Sequence, residues 1–244
     1  MSPPTAVSRV VSLVPSLTES LATSAPGLLV GATDWCTEPA GLAVTRVRGT
    51  KNPDLEAVTA LRPDVVVANE EENRAEDIEA LRAAGLTVWV TAPRTVPGAL
   101  VSLGRMFDVC RVRRPGWLEA ATAEWDRPST GPRRRAFVPI WRRPWMSLGR
   151  DTFAGDVLAR LGVDHVYATS EQRYPRVELG EARGRDVDLV VLPDEPYAFT
   201  VEEGIEVFGG WGVPVRCVSG RLLTWYGPSL LGARDALHEA LEGP

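Results

Sequence analysis

Residues 137–146, FVPIWRRPWM, set Trp141, Arg142, Arg143 and Trp145 within one short span. Two indoles can stack on a conjugated face while Arg142 or Arg143 pairs with a carboxylate or another anionic substituent. The span therefore suits binding of a flat ligand with a polar rim; its plainer reading is a packed strand end. Groups for bond-making chemistry are sparse by comparison. Asp151, Thr152 and Asp156 invite an acid and base reading, but Asp151-Thr152 reads first as a helix N-terminus. His165 and His238 have no Cys, His or carboxylate at metal-ligand spacing and read as structural. Neither a Gly-x-Ser-x-Gly elbow nor a P-loop is present, and no Gly-x-Gly-x-x-Gly follows the first strand. No catalytic residue and no metal ligand is assigned.

Hydrophobic periodicity supplies the strands and helices that must hold these groups. Residues 10–14 form a short apolar strand ending at Pro15-Ser16, and Ser16 followed by Glu19 fits a helix capping box. A brief strand is expected at 28–31, then a helix at 54–61 with Leu55, Val58 and Leu61 on one side, ended by Arg62-Pro63-Asp64. Residues 65–68 are a continuous apolar run of the kind buried on both faces of a parallel sheet. The spacing of Ile78 and Leu81 predicts a helix over 73–84 stopped by Gly85, with another strand at 86–90. That βαβα run makes a doubly wound lobe of residues 1–94.

The second half, 128–244, repeats the plan: strands near 135–140, 187–192 and 213–218, and helices at 152–161, 200–208 and 228–241. Between the halves, 95–127 has helical spacing at Leu100, Leu103, Met106 and Phe107 and again at Trp117, Leu118, Ala121 and Trp125. Arg114-Pro115-Gly116 should interrupt it. The expected fold class is α/β, with two Rossmann-like lobes of parallel sheets, a helical connector, and a ligand cleft between the lobes.

In open α/β sheets ligands sit beyond the carboxyl ends of the strands, so those positions nominate the site. After the first strand come Pro15 and Ser16, at a helix N-terminus whose free N–H groups suit an anionic or carbonyl group. Asn69 and the acidic turn Glu70, Glu71, Glu72 follow the strand at 65–68. The aromatic and arginine span follows 135–140, and Glu195 and Tyr197, held by Pro193 and Pro196, follow 187–192. Arg221, Trp225 and Tyr226 stand beyond the last strand, with Gly227 permitting close approach. For the acidic turn the plainer reading is a solvated helix N-terminus, and direct coordination of a hard cation is a further one.

A net charge of −5 over 244 residues argues against a nucleic-acid groove, and Arg133-Arg134-Arg135 is too short to reverse that. The three cysteines, Cys36, Cys110 and Cys217, are odd in number and lack any Cys-x-x-Cys pair, which suits reduced, mostly buried thiols. Cys36 beside Trp35 has a second reading as an axial ligand to a bound chelate. No stretch has the roughly 18 to 20 uncharged apolar residues of a membrane span. With no signal peptide or lipid-attachment cysteine, the chain as given is expected in the cytoplasm, and periplasmic or extracellular only if a leader has been removed.

The runs VSLVPSLTESL, GATDWCTEP, GTKNPDLEAVTALRPDVVVAN, PWMSLGRDTFAGDVLARLGV and SGRLLTWYGPS resemble the helical-backbone metal-receptor superfamily, in particular its cobalamin-binding branch. The resemblance spans about residues 9–241. It implies a substrate-binding protein of the ABC-importer kind, holding a bulky metal chelate between two lobes. Aromatics at the places of Trp35 and Trp145, and the segment around 221–226, would touch the ligand. Thr50 joins Trp35 on the first lobe in this reading. Glu71 and Glu72 on one lobe, and Glu202 and Glu203 on the other, would dock onto arginines of a permease. The short, Pro-broken connector and missing leader look more like a leaderless, cytosolic-type subgroup with NEEENRxEDI, PIWRxPWM, LPDEPY and WYG signatures, for which an intracellular acceptor could replace the permease. The expected ligand is a corrinoid, with no intrinsic cofactor, in a monomer. The alternatives are a ferric siderophore or haem, and, from another class, an enzyme or chelatase acting on a tetrapyrrole.

Overall fold

The apolar run that starts at Val65 is buried along its whole length because elements cover both faces of its sheet. The computed structural model describes residues 6–129 and 131–243. It divides into two compact units. One takes the described residues up to Ala92 with Ala99–Ala121 and Tyr226–Pro228; the other takes Pro93–Gly98 and the described parts of 122–225 and 229–243.

The first unit contains β1 (Val10–Ser12), α1 (Pro15–Ser24), β2 (Leu29–Ala32), β3 (Thr45–Arg46), the antiparallel pair β4 (Arg48–Gly49) and β5 (Asn52–Pro53), α2 (Leu55–Ala60), β6 (Val65–Asn69), α3 (Ala75–Ala83) and β7 (Val88–Thr91). Its sheet runs β3-β2-β1-β6-β7 with every pairing parallel. The winding reverses between β1 and β6, which makes that gap the topological switch point. Val11, Leu13, Val58, Val66, Ile78 and Leu81 belong to one buried cluster, the face that the sequence periodicity assigns to α2 and α3.

α4 (Val96–Val109) and α5 (Gly116–Trp125) come next, and each is shared between the two units. The helical spacing of 95–127 is borne out, but the break falls earlier than Arg114. Helix α4 stops at Val109, and Arg111 takes a left-handed φ of 56° that no helix can continue through.

The second unit holds β8 (Arg134–Phe137), β9 (Pro139–Trp141), β10 (Met146–Ser147), α6 (Phe153–Arg160), β11 (Val163–His165), α7 (Leu179–Arg183), β12 (Leu189–Pro193), α8 (Val201–Phe208), β13 (Val215–Val218), α9 (Gly220–Thr224) and α10 (Ala233–Glu242). Its sheet, β11-β8-β12-β13, is again parallel throughout, and its switch point lies between β8 and β12. Phe137, Val190, Leu192, Phe199 and Phe208 share its buried cluster. The α/β class with two Rossmann-like parallel sheets therefore stands.

Four local features depart from the sequence pattern. The N-cap of α1 is Val14, not Ser16, and no side chain caps it; Pro15 occupies the first turn, where its missing N–H is one of the groups left over anyway. The strand expected over 135–140 is two strands, β8 and β9, the second turning away to pair antiparallel with β10. β11 escapes the sequence pattern, because Asp164 and His165 interrupt its apolar run. The last helix starts at Ala233 after a 3-10 turn at Pro228–Leu230, with Gly232 at φ 75° between them.

Candidate functional site

On the first unit Pro15, Ser16 and Asn69, nominated beyond β1 and β6, are buried, whereas Glu70 of the acidic turn is exposed. Pro15 and Ser16 are buried, and the Ser16 carbonyl accepts from the Ser20 hydroxyl at 2.8 Å. Asn69 is 3% exposed. Its Oδ1 accepts from the amides of Glu71 at 2.6 Å and Glu72 at 3.1 Å, and its Nδ2 donates to the hydroxyl of Tyr226. Burial pushes the Tyr226 phenol up, with Glu72 adding to the shift and bonds to Ser16 and Asn69 opposing it. Pro15, Ser16, Asn69 and Tyr226, all nominated as ligand contacts, are thus buried in this structure, and Asn69 and Tyr226 bond to each other. The close approach at Gly227 is likewise to α1: a Cβ there would lie 2.9 Å from Ser20 Oγ and 3.0 Å from the Ser16 carbonyl.

The acidic turn is organised from within. Asn73, the second asparagine of the NEEENRxEDI run, accepts from the Asn69 amide at 2.9 Å and donates to the carbonyls of Leu13 and Thr50 at 3.3 and 2.9 Å. Lys51 Nζ donates to the Glu71 carbonyl. This unit presents outward Trp35, at 66% exposure, while Thr50 is half-buried and its carbonyl is held by Asn73. Cys36 is buried, its thiol bonded to Thr18 at 2.9 Å and Thr33 at 3.1 Å, and burial raises its pKa. Those are the surroundings of an inert thiol rather than of an axial ligand.

On the second unit the FVPIWRRPWM span is a β-hairpin. Met146 pairs with Trp141 and Ser147 with Pro139, and residues 142–145 form the turn. The hairpin is held at its base, where Leu148 N donates to Val138 O at 3.1 Å, and at its turn, where Val177 N donates to Trp145 O at 3.0 Å. It projects from the end of β8, while Tyr197 projects from the end of β12, the two sides of the switch point. The rings of Trp141 and Tyr197 meet there edge to face at 5.8 Å, with Trp141 43% exposed.

The two tryptophans have different fates. Trp145 stacks on Phe199 at 6.0 Å and 5° and meets the edge of Phe208 at 5.6 Å, so it belongs largely to the core. Sequence reasoning does not nominate Phe199 and Phe208, because a lone aromatic in a sequence carries no sign of its stacking partner. Arg142 is also taken: its Nη1 lies 2.6 Å from Glu203 Oε1, which accepts the Tyr197 hydroxyl at 3.0 Å as well. Glu206, also not nominated, lies 4.0 Å from the same guanidinium. Desolvation works against ionisation of Glu203, but its bonds to Tyr197 and Arg142 outweigh it and hold the carboxyl below the usual range. Arg143 is exposed and adopts a left-handed φ of 67°.

The Asp194-Glu195-Pro196 loop is pinned by α9. Gly220 N donates to Asp194 Oδ1 at 2.6 Å, and Ser219 caps α9 by accepting from Leu222 N at 3.3 Å. Desolvation and the neighbouring Asp194 raise the Glu195 carboxyl, and Arg221 opposes them. Arg221 lies 4.8 Å over the Trp225 ring, a cation stacked on an aromatic face. Trp141, Tyr197, Glu195, Arg221 and Trp225 therefore all stand at the carboxyl end of one sheet, and Glu202, on the first turn of α8, is exposed near them in sequence. Elsewhere in this unit His165 is 7% exposed, and Gly155 of α6 leaves room for its Nε2. Among the described residues no group of three or more His, Cys, Asp or Glu is placed to hold a metal ion, and no helix is long and apolar enough to cross a membrane.

No family model matches the chain. A vitamin B12-binding protein of Pectobacterium carotovorum is 22% identical over 245 residues, which cover 94% of this chain and 86% of that protein. Among solved structures, the periplasmic vitamin B12 binding protein BtuF of Vibrio cholerae superposes with a TM-score of 0.74 at 18% identity, covering 97% of both chains. The periplasmic haem-binding protein RhuT of Roseiflexus superposes equally well, at 0.74 and 18%, over 96% of this chain and 99% of that one. All three relatives are named as binding proteins, and the two solved structures share this fold over at least 96% of the chain. They bear out the resemblance to the helical-backbone metal receptors and their cobalamin-binding branch.

Proposed function

We propose that this chain is a substrate-binding-type protein that takes up a metal chelate, with a corrinoid as the first candidate. The observation that carries the reading is the near full-length similarity to vitamin B12-binding proteins, covering 94% of this chain, in a fold that such proteins share. The surface chemistry agrees: the half-exposed indole of Trp141, the flat Arg221–Trp225 stack and the exposed Trp35 offer conjugated faces with charge beside them. Affinity in this reading comes from aromatic and apolar burial, and the arginines orient the ligand.

Haem is the second reading, favoured by the equal structural likeness to a haem-binding protein, and a ferric siderophore shares the same surface chemistry. We read the chain as a binder that lacks an intrinsic cofactor, works as a monomer, and hands its ligand to a permease or an intracellular acceptor.

The test is a titration of the eight-tryptophan chain with cyanocobalamin, haemin and a ferric siderophore in parallel, with calorimetry to exclude inner-filter effects. Saturable binding of one chelate at about micromolar Kd or tighter supports the proposal and names the class. Binding of none, or conversion of a bound tetrapyrrole into a product, would refute it.

A further inference from the structure

We propose that Glu203 is a positioning residue of the second unit's aromatic wall, and that Arg143, not Arg142, is the cation this wall presents to an anion. Its meaning for a ligand rests on the chelate-binding reading above, whereas the geometry stands by itself. One carboxylate oxygen, Glu203 Oε1, accepts from Arg142 Nη1 at 2.6 Å and from the Tyr197 hydroxyl at 3.0 Å. It thereby ties the turn of the β9–β10 hairpin to the loop after β12, the two sides of the switch point. Tyr197 in turn sets the edge of Trp141 at 5.8 Å.

Glu203 is itself well placed for this. It stands in the first turn of α8, where a carboxylate is favoured, and its amide donates to the capping Thr200 hydroxyl at 3.2 Å. Arg142 is consumed by the arrangement. Its side chain is only 18% exposed, its guanidinium lies 5.7 Å over the Trp145 ring, and both Glu203 and Glu206 face it. An incoming carboxylate would have to displace an ion pair that is already made. Arg143 is exposed and makes no hydrogen bond or ion pair among the described residues, so its charge is available. The same geometry removes Glu203 from the surface glutamates that a partner protein could grip.

The experiment uses the full chain without ligand, with the Trp141 signal isolated by difference against W141F. Acrylamide, which is neutral, reports access to Trp141; iodide reports access weighted by local positive charge. E203Q keeps an acceptor for Tyr197 but loses the ion pair, and should raise acrylamide quenching of Trp141 by about two-fold. R143Q should leave acrylamide quenching unchanged and lower the iodide-to-acrylamide ratio by about two-fold, whereas R142Q should loosen the wall without lowering that ratio. Unchanged acrylamide quenching in E203Q overturns the positioning role. A ratio that falls in R142Q but not in R143Q overturns the assignment of the cation.

A second arm separates this proposal from the chelate reading. Haemin carries two propionates, whereas cyanocobalamin has no net charge, so R143Q should weaken haemin by about five-fold or more and cyanocobalamin hardly at all. Should the unmodified chain bind neither, the chelate reading fails while the quenching results still decide the roles of Glu203 and Arg143.

Discussion

The four residues that first suggest a binding site turn out to do four different things. Trp145 is a core aromatic, Arg142 an internal ion-pair partner, Trp141 a half-exposed indole and Arg143 an exposed cation. The tryptophans should therefore respond differently to removal. Trp145→Ala strips a ring from Phe199 and Phe208 and should cost about 2–4 kcal/mol of folding stability, measured by denaturant unfolding. Trp141→Ala should cost less than about 1 kcal/mol of stability yet about 1–3 kcal/mol of chelate affinity by calorimetry. Similar stability losses for both would mean that Trp141 is packed rather than presented. His165 gives a pH test. Burial holds its imidazole below the ordinary histidine range, with Leu148 and Asp164 opposing, so the unfolded chain takes up the proton first as the solution is acidified. Stability should therefore fall as pH drops below about 6.5, and His165→Gln should flatten that slope in melting temperatures recorded between pH 7.5 and 5.5.

At the scale of elements, the candidate site is built from the turns and loops beyond the strands rather than from the strands themselves. β8 and β12 only bring the hairpin turn and the Tyr197 loop to the same sheet end. The short helix α9 then fixes the loop, and Gly220 is the point of closest approach. A Cβ at Gly220 would sit 2.6 Å from the Glu195 amide nitrogen and 2.8 Å from its carbonyl oxygen, both backbone atoms that cannot rotate away. Gly220→Ala should cost about 1–3 kcal/mol of stability and shift the 194–197 loop, seen as altered Trp225 emission and lower ligand affinity. An unchanged denaturation midpoint would show that the loop yields freely.

For the whole molecule, folding stability and ligand binding are linked by mass action. A chelate that binds only the folded chain should stabilise it by about 2.7 kcal/mol at a concentration of 100 Kd. Its melting temperature should rise with ligand concentration, while a chelate outside the preferred class leaves it in place. A rise produced equally by metal-free porphyrin and by haemin would assign recognition to the flat face alone.

How much of this is legible in the sequence depends on whether the signal is local. β6 and β12 can be read directly, since a strand buried on both faces must be apolar throughout. Helices α3, α6 and α8 follow from spacing, and α6 also from its N-terminal Asp151-Thr152. The two-residue strands β3, β4 and β5 are too short to show any period, and β11 is masked by its polar residues. Ser16 misleads because a capping box and a proline-led first turn compete for the same segment, and the ring's preset φ decides it. The sequence by itself determined the α/β class, the parallel sheets and the strand ends at which function should be sought, because burial patterns act within a few residues. Only the tertiary structure decided which side chains at those ends are spent. That Asn69 holds Tyr226 157 positions away, and that Glu203 claims Arg142 across 61, are outcomes of distance in space, to which no local pattern responds.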